Sequence, residues 1–439
     1  MDSAVALHLA VEAAHYIEQQ RIDDVWRLTN DHADRVDHTL YHGTAGIILF
    51  FLELADATGS PIYETRAHEA GRVLATWVGS REQSSVAFAT GWGGFGFTLL
   101  ELHRRTEDPV FKVAADYAHT MLMTQATTVG SGVGWVEPAP FGDITGFRGE
   151  REIYDLSVGA AGAGLALLPH FAEFAVKVGD RLLDVAERRP EGLRWSLMSE
   201  MPFPFTAPNF AHGGAGVGYF LGRLFEVTGE SRFLLAAVEA GQAFIAATSP
   251  VGDGVLAHHT EELQPPQFYL GACHGPAGSG RLLALLGKLT GNSMWTDQLD
   301  LLLKGVDSLG APETRSWGWW NNHSRCCGDA GLGDAALLFD RVPGADSLAA
   351  RQLANRCAAV IAGASVSGSA PTGEAESADS QLPSVGCWWP QAEHRARPKF
   401  VQNQTGYMQG AAGIGSFLVH LATHDAPTPV RIALPDELL

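Results

Sequence analysis

The chain alternates long apolar stretches with polar connecting segments, and seven of the apolar stretches open on the same glycine pattern. That pattern is Gly-x-x-Gly, usually extended to Gly-x-x-Gly-apolar-Gly. Its copies begin at Gly43, Gly91, Gly159, Gly213, Gly275, Gly328 and Gly410. A motif that recurs at intervals of 48 to 82 residues is typical of a repeat protein, in which each copy is one supersecondary unit.

The best-preserved copies predict a helical hairpin. A threonine stands 15 residues after the first glycine in four copies, at Thr58, Thr106, Thr228 and Thr290. An aromatic residue follows each threonine by five positions, at Tyr63, Phe111, Phe233 and Trp295. The stretch before the threonine predicts an inner helix of about four turns that is apolar on most faces, and the stretch after it has the helical periodicity of an amphipathic outer helix.

Seven inner helices ringed by outer helices predict an all-α fold, an α/α toroid of seven helical-hairpin repeats within one domain, residues 1–439. An open solenoid is the alternative, but it requires polar capping repeats, and the last copy, GAAGIGSFLVHLATH, is as apolar as the middle ones. Glycine disfavours helix, so its recurrence in the first turn indicates close backbone approach.

Polar excursions between the repeats carry tryptophans, at residues 132–138, 192–197, 315–322 and 385–391. We expect them to be short strands or loops on the face where the glycine motifs lie. The segment 365–381 is poor in apolar residues and is predicted to be a mobile insertion.

Composition narrows the function. A formal charge of −19 argues against a nucleic-acid partner and against anionic membranes, because phosphate binding needs a basic surface. The N-terminus has no signal-peptide pattern and no apolar run is long enough to span a bilayer, so a cytoplasmic protein is expected. Five cysteines in such a chain indicate free thiols or metal ligands rather than a disulfide framework.

The candidate catalytic and metal-binding residues stand directly before the glycines. Copies four to six read Ala211-His212, Cys273-His274 and Cys326-Cys327, and the other copies read Tyr41-His42, Ala89-Thr90, Ser157-Val158 and Met408-Gln409. At inner-helix N-termini these pairs point to the centre of a toroid, where the helix dipole stabilises thiolates. Three cysteines at equivalent places resemble a zinc site with one open position; the alternative is small side chains in tight packing.

The remaining candidates are less specific. Cys357 has the setting of a core residue, Cys387 beside two tryptophans is ambiguous, and His42 is expected to be packed or solvated. Asp155, four residues before Gly159, is by itself most often a cap or a loop residue. Beside a metal-bearing cavity it becomes a candidate to orient groups or accept a proton.

The ordered set YDLSVGAAG, NFAHGGAGVG, ACHGPAG, RCCGDAG and QTGYMQGAAGIG resembles the lanthionine synthetase C-like family over essentially the whole chain. The resemblance implies a toroid around a zinc ion and the addition of cysteine thiols to dehydroalanine or dehydrobutyrine, which forms thioether rings in peptides. It implies Cys273, Cys326 and Cys327 as zinc ligands, in the three-cysteine, CCG-type variant of the site, with His212 as acid/base and Asp155 as catalytic aspartate.

The same resemblance implies a dehydrated precursor peptide as partner, supplied by a separate dehydratase or kinase/lyase, since the chain has no room for such a domain. Tyr269, which stands where many members have an arginine, His274 and Arg325 are candidates for substrate positioning. Two other interpretations stay open, namely addition of glutathione or another free thiol to dehydroamino acids in proteins, and a zinc- or peptide-binding scaffold without turnover. A glycosidase ranks last, because that chemistry needs paired carboxylates.

Overall fold

Two rings of α-helices form the fold. The computed structural model describes residues 1–29, 35–139, 149–201, 206–259, 267–368 and 386–438, and these ranges contain fourteen α-helices. The inner helices are α2 (Thr44–Thr58), α4 (Trp92–Thr106), α6 (Ala160–Leu167), α8 (Gly214–Thr228), α10 (Pro276–Thr290), α12 (Asp329–Phe339) and α14 (Ala411–Thr423). The outer helices are α1 (Ser3–Gln19), α3 (Pro61–Gly79), α5 (Pro109–Thr124), α7 (Ala172–Asp184), α9 (Ser231–Ala246), α11 (Met294–Ser308) and α13 (Ser347–Ala364).

The inner ring is closed. Each inner helix packs on the next one in the chain, and α14 packs on α2. At that junction Gly415 faces the ring of Phe50, and a Cβ at position 415 would lie 2.5 Å from the ring atoms. The predicted α/α toroid is confirmed, and the open solenoid is not observed.

One pairing differs from seven consecutive hairpins. Six inner helices pack on the outer helix that follows them, whereas α14 packs on α1 from the other end of the chain. The described part of the chain after α14, residues 424–438, does not form an eighth outer helix. It crosses the end of the ring instead, where Ile432 and Leu434 are buried.

The glycine motifs build the tips of the inner helices. The first glycine of every copy is the N-cap of its helix, as at Gly275 and Gly328. A Cβ on the first or second glycine of any copy would lie 1.7 to 2.5 Å from the carbonyl oxygen six residues earlier. The segment before each helix therefore folds back across its first turn, and this close approach is why the pattern requires glycine.

The threonines end four of the inner helices. Each hydroxyl donates to the carbonyl four residues earlier, as from Thr58 to Leu54 (2.6 Å) and from Thr228 to Leu224 (2.7 Å). The next residue takes the left-handed conformation, with φ of 67° at Gly59. The aromatic residues five positions after the threonines are buried against the inner layer, as expected for anchors of the outer helices.

Short antiparallel hairpins connect outer helices to the next tips. They pair β1 (Arg21–Ile22) with β2 (Val25–Trp26), β3 (Thr127–Val129) with β4 (Gly132–Gly134), β5 (Val136–Pro138) with β6 (Glu150–Glu152), β7 (Glu187–Arg189) with β8 (Gly192–Arg194), β9 (Thr248–Val251) with β10 (Gly254–Ala257), and β11 (Val366–Gly368) with β12 (Gly386–Trp388). Of the predicted insertion 365–381, β11 is described and 369–381 lie outside the described residues.

The interior of the ring holds a buried network of charges. Arg325 bonds both Asp334 (2.8 Å) and Glu437 (2.6 Å), and Arg281 bonds Asp436 (2.7 Å). His420 lies between Asp334 and Glu53, at 2.7 and 2.8 Å. We call this set, completed by Arg431, the lumen network. It joins four inner helices, the tip segment before α12 and residues 431–437 of the C-terminal segment.

No helix in the described ranges combines the length and the hydropathy that crossing a bilayer would require.

Candidate metal centre

The seven tips are tied to one another around the axis of the toroid. In six of the seven copies, the residue two places before the first glycine donates its backbone N–H to the equivalent carbonyl of the next copy. These links run from Tyr41 to Ala89, Ser157 to Ala211, Ala211 to Cys273, Cys273 to Cys326, Cys326 to Met408 and Met408 to Tyr41. The sequence equivalence is therefore a spatial one, and side chains from neighbouring copies are held next to each other.

The structure brings the three tip cysteines together. The Sγ atoms of Cys273, Cys326 and Cys327 lie within 4.8 Å of one another. Two of the separations are 3.5 Å, from Cys327 to Cys273 and from Cys327 to Cys326. In a tetrahedral site with Zn–S bonds of about 2.3 Å the sulfur atoms are about 3.8 Å apart. The spacing fits three ligands of one metal ion, and Cys357 and Cys387 lie elsewhere, buried in the core.

The electrostatics of the cluster favour a cation at its centre. Hydrogen bonds among the three thiols raise the pKa of Cys273 and Cys327 well above its usual range, and the same bonds hold that of Cys326 well below it. Three adjacent thiolates carry an electrostatic penalty, because their negative charges repel. A divalent ion would remove that penalty, and the helix N-termini behind the cysteines add to the effect.

The predicted acid/base pair is also assembled. His212 Nδ1 lies 2.8 Å from Asp155 Oδ2, and the other carboxylate oxygen of Asp155 accepts from the backbone N–H of Val158 at 2.8 Å. Burial lowers the pKa of His212, but the adjacent carboxylate outweighs burial and the pKa is raised. The pair joins copies three and four and lies beside the cysteines of copies five and six.

A row of packed rings lies next to this pair and consists of His274, His259 and Tyr269; we call it the wall of rings. The His212 ring is 5.1 Å from that of His274, which lies 4.5 Å from His259. Tyr269 packs edge-on against His259 at 4.2 Å and carries the guanidinium of Arg395 at 4.8 Å from its ring centroid. Burial, with Arg395 and His212 nearby, lowers the pKa of His259 to about 3.

Arg325 lies apart from these side chains. It is buried, and its guanidinium points into the lumen network rather than toward His212. The backbone of Arg325 still carries Cys326 and Cys327, so the network anchors the segment that presents two of the three thiols. Contact of Arg325 with substrate remains a prediction.

The sequence patterns predict no role for four residues that lie in this region. Tyr41 and Gln409 occupy tip positions of copies one and seven, and Gln409 Nε2 bonds the Tyr41 hydroxyl (3.0 Å) and the Cys327 sulfur (3.8 Å). Their repeat position was the signal that could have identified them. His259 and Arg395 come from the excursions between repeats, which have no equivalent positions to compare.

The chain is thus a closed α/α toroid with a cluster of three thiols, spaced to hold a metal ion, at the tips of its inner helices. The profile of the family described as lanthionine synthetase C-like protein matches residues 34–364, about three quarters of the chain. The protein therefore belongs to the lanthionine synthetase C-like family.

The solved structure of nisin cyclase agrees with this fold. Nisin cyclase superposes with a TM-score of 0.62 at 16% identity, over 92% of this chain and 93% of its own. An α-1,6-mannanase from Salegentibacter sp. HEL1_6 (12% identity, 82% and 87% coverage, TM-score 0.42) and the unsaturated glucuronyl hydrolase from Bacillus sp. GL1 (14%, 70% and 84%, 0.45) are more distant. No curated protein sequence matches the chain.

Proposed function

We propose that this protein is a zinc-dependent peptide cyclase that adds cysteine thiols to dehydroalanine or dehydrobutyrine and so forms lanthionine-type thioether rings. The observation that carries the proposal is the placement of three convergent sulfur atoms beside the Asp155–His212 pair. Membership of the lanthionine synthetase C-like family supports the same chemistry. A dehydrated precursor peptide, made by a separate dehydratase or kinase/lyase, would be the substrate.

Cys273, Cys326 and Cys327 would hold the zinc. A zinc ion held there would supply the Lewis acidity that lowers the pKa of an incoming thiol and favours its thiolate form. Attack of the substrate sulfur on the β-carbon forms the C–S bond and moves the π electrons of the alkene toward the carbonyl. The α-carbon then needs one proton, which balances the proton lost by the thiol.

His212 would deliver that proton. Asp155 accepts from Nδ1 and favours the imidazolium, so Nε2 is the nitrogen that exchanges a proton with the substrate. The lowered pKa of His274 and His259, caused mainly by burial, keeps both rings neutral at pH 7. These two histidines would therefore line the site and exclude water from it rather than transfer protons.

A synthetic peptide with one dehydroalanine and one cysteine tests the proposal. We expect the zinc-loaded protein to consume its free thiol, which is followed by mass spectrometry after alkylation because cyclisation leaves the mass unchanged. A second reaction supplies a dehydroalanine peptide and glutathione separately. Addition in the second reaction alone favours the free-thiol interpretation, and addition in neither contradicts catalysis of either kind.

Metal analysis of cysteine variants provides the matched control. Replacing Cys273, Cys326 or Cys327 by alanine should remove most of the zinc and the activity while the helical circular dichroism spectrum is retained. Cys357→Ala, at a buried cysteine outside the cluster, should keep both. A metal-free wild-type protein that is active would overturn the zinc assignment.

A further inference from the structure

A loop rich in cations lies at the rim of the candidate site. The backbones of Gln391 and Gln402 exchange two hydrogen bonds, of 3.1 and 2.9 Å, and close the base of an excursion between them. Residues 394–401 of this excursion read His-Arg-Ala-Arg-Pro-Lys-Phe-Val and contain no acidic residue; Glu393, directly before them, accepts from Gln404 Nε2 (3.0 Å). We call these eight residues the basic loop.

The basic loop is attached to the wall of rings. Ala392, just before it, donates its N–H to the Asn321 carbonyl (2.8 Å) and accepts from the Trp320 indole N–H (2.9 Å). Arg395 then places its guanidinium over Tyr269, whose ring is 5.8 Å from that of His274. One layer of side chains separates Arg395 from the Cys273 segment.

Exposed apolar side chains accompany these cations. Phe400 and Val401 in the loop are 49% and 45% exposed, and Trp317 is 51% exposed. The Trp317 indole N–H donates to Gln267 Oε1 (2.9 Å), the same oxygen that accepts from the Tyr269 hydroxyl (3.3 Å). Trp317 and the Arg395 guanidinium therefore both border Tyr269, and exposed aromatics beside arginine are typical of surfaces that bind protein segments.

The charge of this rim contrasts with the rest of the molecule. The chain has 49 acidic against 30 basic residues, and surface arginines such as Arg105 and Arg356 are paired with carboxylates. In the part of the chain that the structure describes, Arg395 contacts the Tyr269 ring and no carboxylate pairs with Arg395 or Lys399. A positive patch of this kind attracts a negatively charged partner and disfavours a basic one.

We propose that the basic loop binds an acidic segment of the peptide substrate, with its carboxylates at Arg395 and Lys399 and its apolar side chains against Phe400 and Trp317. The inference rests on the proposed function, because it takes the peptide substrate of that function as the occupant of this rim. It adds a substrate class to that function: peptides with acidic residues near, but outside, the reacting positions.

Binding of unreactive peptides tests the inference without any turnover. The probes are a fluorescent 15-residue peptide with Glu, Asp, Leu and Phe, and its twin with Gln and Asn in place of the acids; neither contains cysteine or dehydroalanine. By fluorescence anisotropy at low salt, we expect the full-length protein to prefer the acidic peptide about fivefold, as for two partly exposed ion pairs, and the preference to shrink at high salt.

Charge variants identify the surface responsible. The double variant Arg395→Gln/Lys399→Gln should bind the acidic peptide about fivefold less tightly relative to its neutral twin than the wild type does. The double variant Arg395→Glu/Lys399→Glu should prefer a Lys-containing peptide. The control combines Lys112→Gln with Arg232→Gln, which remove cations from the first turns of α5 and α9, at the far end of the toroid from the tips. It should keep the preference.

Three results would overturn the inference: equal binding of both peptides to the wild type, a preference that survives in both loop variants, or tighter binding of a single-stranded oligonucleotide of equal charge. The thiol-addition reaction separates this failure from failure of the proposed function. Cyclisation without the acidic preference rejects only the loop assignment, whereas the preference without cyclisation rejects only the catalytic assignment.

Discussion

At the scale of single residues, the site depends on side chains that neighbouring repeats present to one another. His212 and Asp155 belong to different copies, yet the ring of tip hydrogen bonds between Ser157 and Ala211 fixes their separation. Neither residue is needed to complete the cluster of three sulfur atoms. Proton transfer and metal binding should therefore be separable by mutation.

We predict that His212→Asn retains zinc and loses thioether formation by about 10²- to 10⁴-fold, the usual contribution of general acid/base catalysis. Metal analysis and the alkylation assay measure the two properties on the same sample. Asn keeps the size and polarity of the site, so the fold should be unaffected. Loss of zinc in this variant would identify His212 as a ligand, and unchanged rate and zinc would shift the proton donor to His274 or Tyr269.

The sequence predicts the site residues that lie at the tips because the repeat defines equivalent positions in every copy. Cys273, Cys326 and His212 stand at fixed offsets from glycine motifs, so a shared offset could be translated into a shared place. Arg395 has no such offset, and its approach to Tyr269 depends on how the excursion folds. Arg325 shows the opposite case, since its offset is close to that of the cysteines while its side chain turns into the lumen network.

At the scale of elements, the glycines of each motif allow the backbone segment that carries the tip residues to pack directly on the first turn of its helix. A Cβ at Gly278, in the first turn of α10, would lie 2.0 Å from the carbonyl oxygen of Ala272, the residue before Cys273. A Cβ at Gly287 of the same helix has no neighbour closer than 3.3 Å, a side-chain carbon of Thr296. The same substitution should thus be far more costly at position 278 than at position 287.

We predict that Gly278→Ala displaces the Cys273 segment, lowers the zinc content and destabilises the protein. Gly287→Ala should preserve zinc and leave stability nearly unchanged, because a gain of up to about 1 kcal/mol in helix propensity offsets the few tenths of an ångström by which the Thr296 methyl group must shift. Thermal unfolding and metal analysis of the pair provide the test. Equal zinc content in both variants would show that the tip can move aside without cost to the metal centre.

A second prediction at this scale concerns His119, which packs from α5 against Gly96 of α4. Burial, reinforced by His170, lowers the pKa of His119 from 6.5 to about 4. Between these pH values the unfolded chain takes up a proton that the folded protein does not. The protonation of His119 in the unfolded chain should therefore lower the free energy of unfolding by about 3 kcal/mol as the pH drops from 6.5 to 4.

Urea unfolding at several pH values, compared between the wild type and His119→Gln, isolates this contribution from those of other buried histidines. The variant should lose less stability on acidification. His8→Gln, at an exposed position on α1, should follow the wild type. Parallel acid profiles for wild type and His119→Gln would refute the assigned pKa.

Element boundaries were predictable where a local chemical reason exists. The threonine hydroxyls that bond the preceding turn and the left-handed residue after them end α2, α4, α8 and α10 at the expected positions. The partner of α14 was not predictable in this way. No local pattern indicates that α1, nearly four hundred residues away, completes the seventh pair, because closure is decided by the packing of the whole ring.

At the scale of the whole molecule, the lumen network spans the ring and reaches the metal centre. Glu437 from the C-terminal segment bonds Arg325, which directly precedes Cys326, and Asp334 shares the same guanidinium. All three side chains are almost fully buried. Breaking a buried ion pair on one side leaves an uncompensated charge, which costs far more than the loss of a surface pair.

We therefore predict that Glu437→Gln, which keeps the shape of the side chain, lowers the free energy of unfolding by about 3 kcal/mol or more and reduces zinc retention through Arg325. The matched control is Glu313→Gln, which breaks the Arg356 pair on the surface and should cost less than about 1 kcal/mol. Urea unfolding and metal release to a chelator compare the two. If both variants unfold and release metal alike, the C-terminal segment does not brace the cysteine tip, and the ring alone holds the metal centre in place.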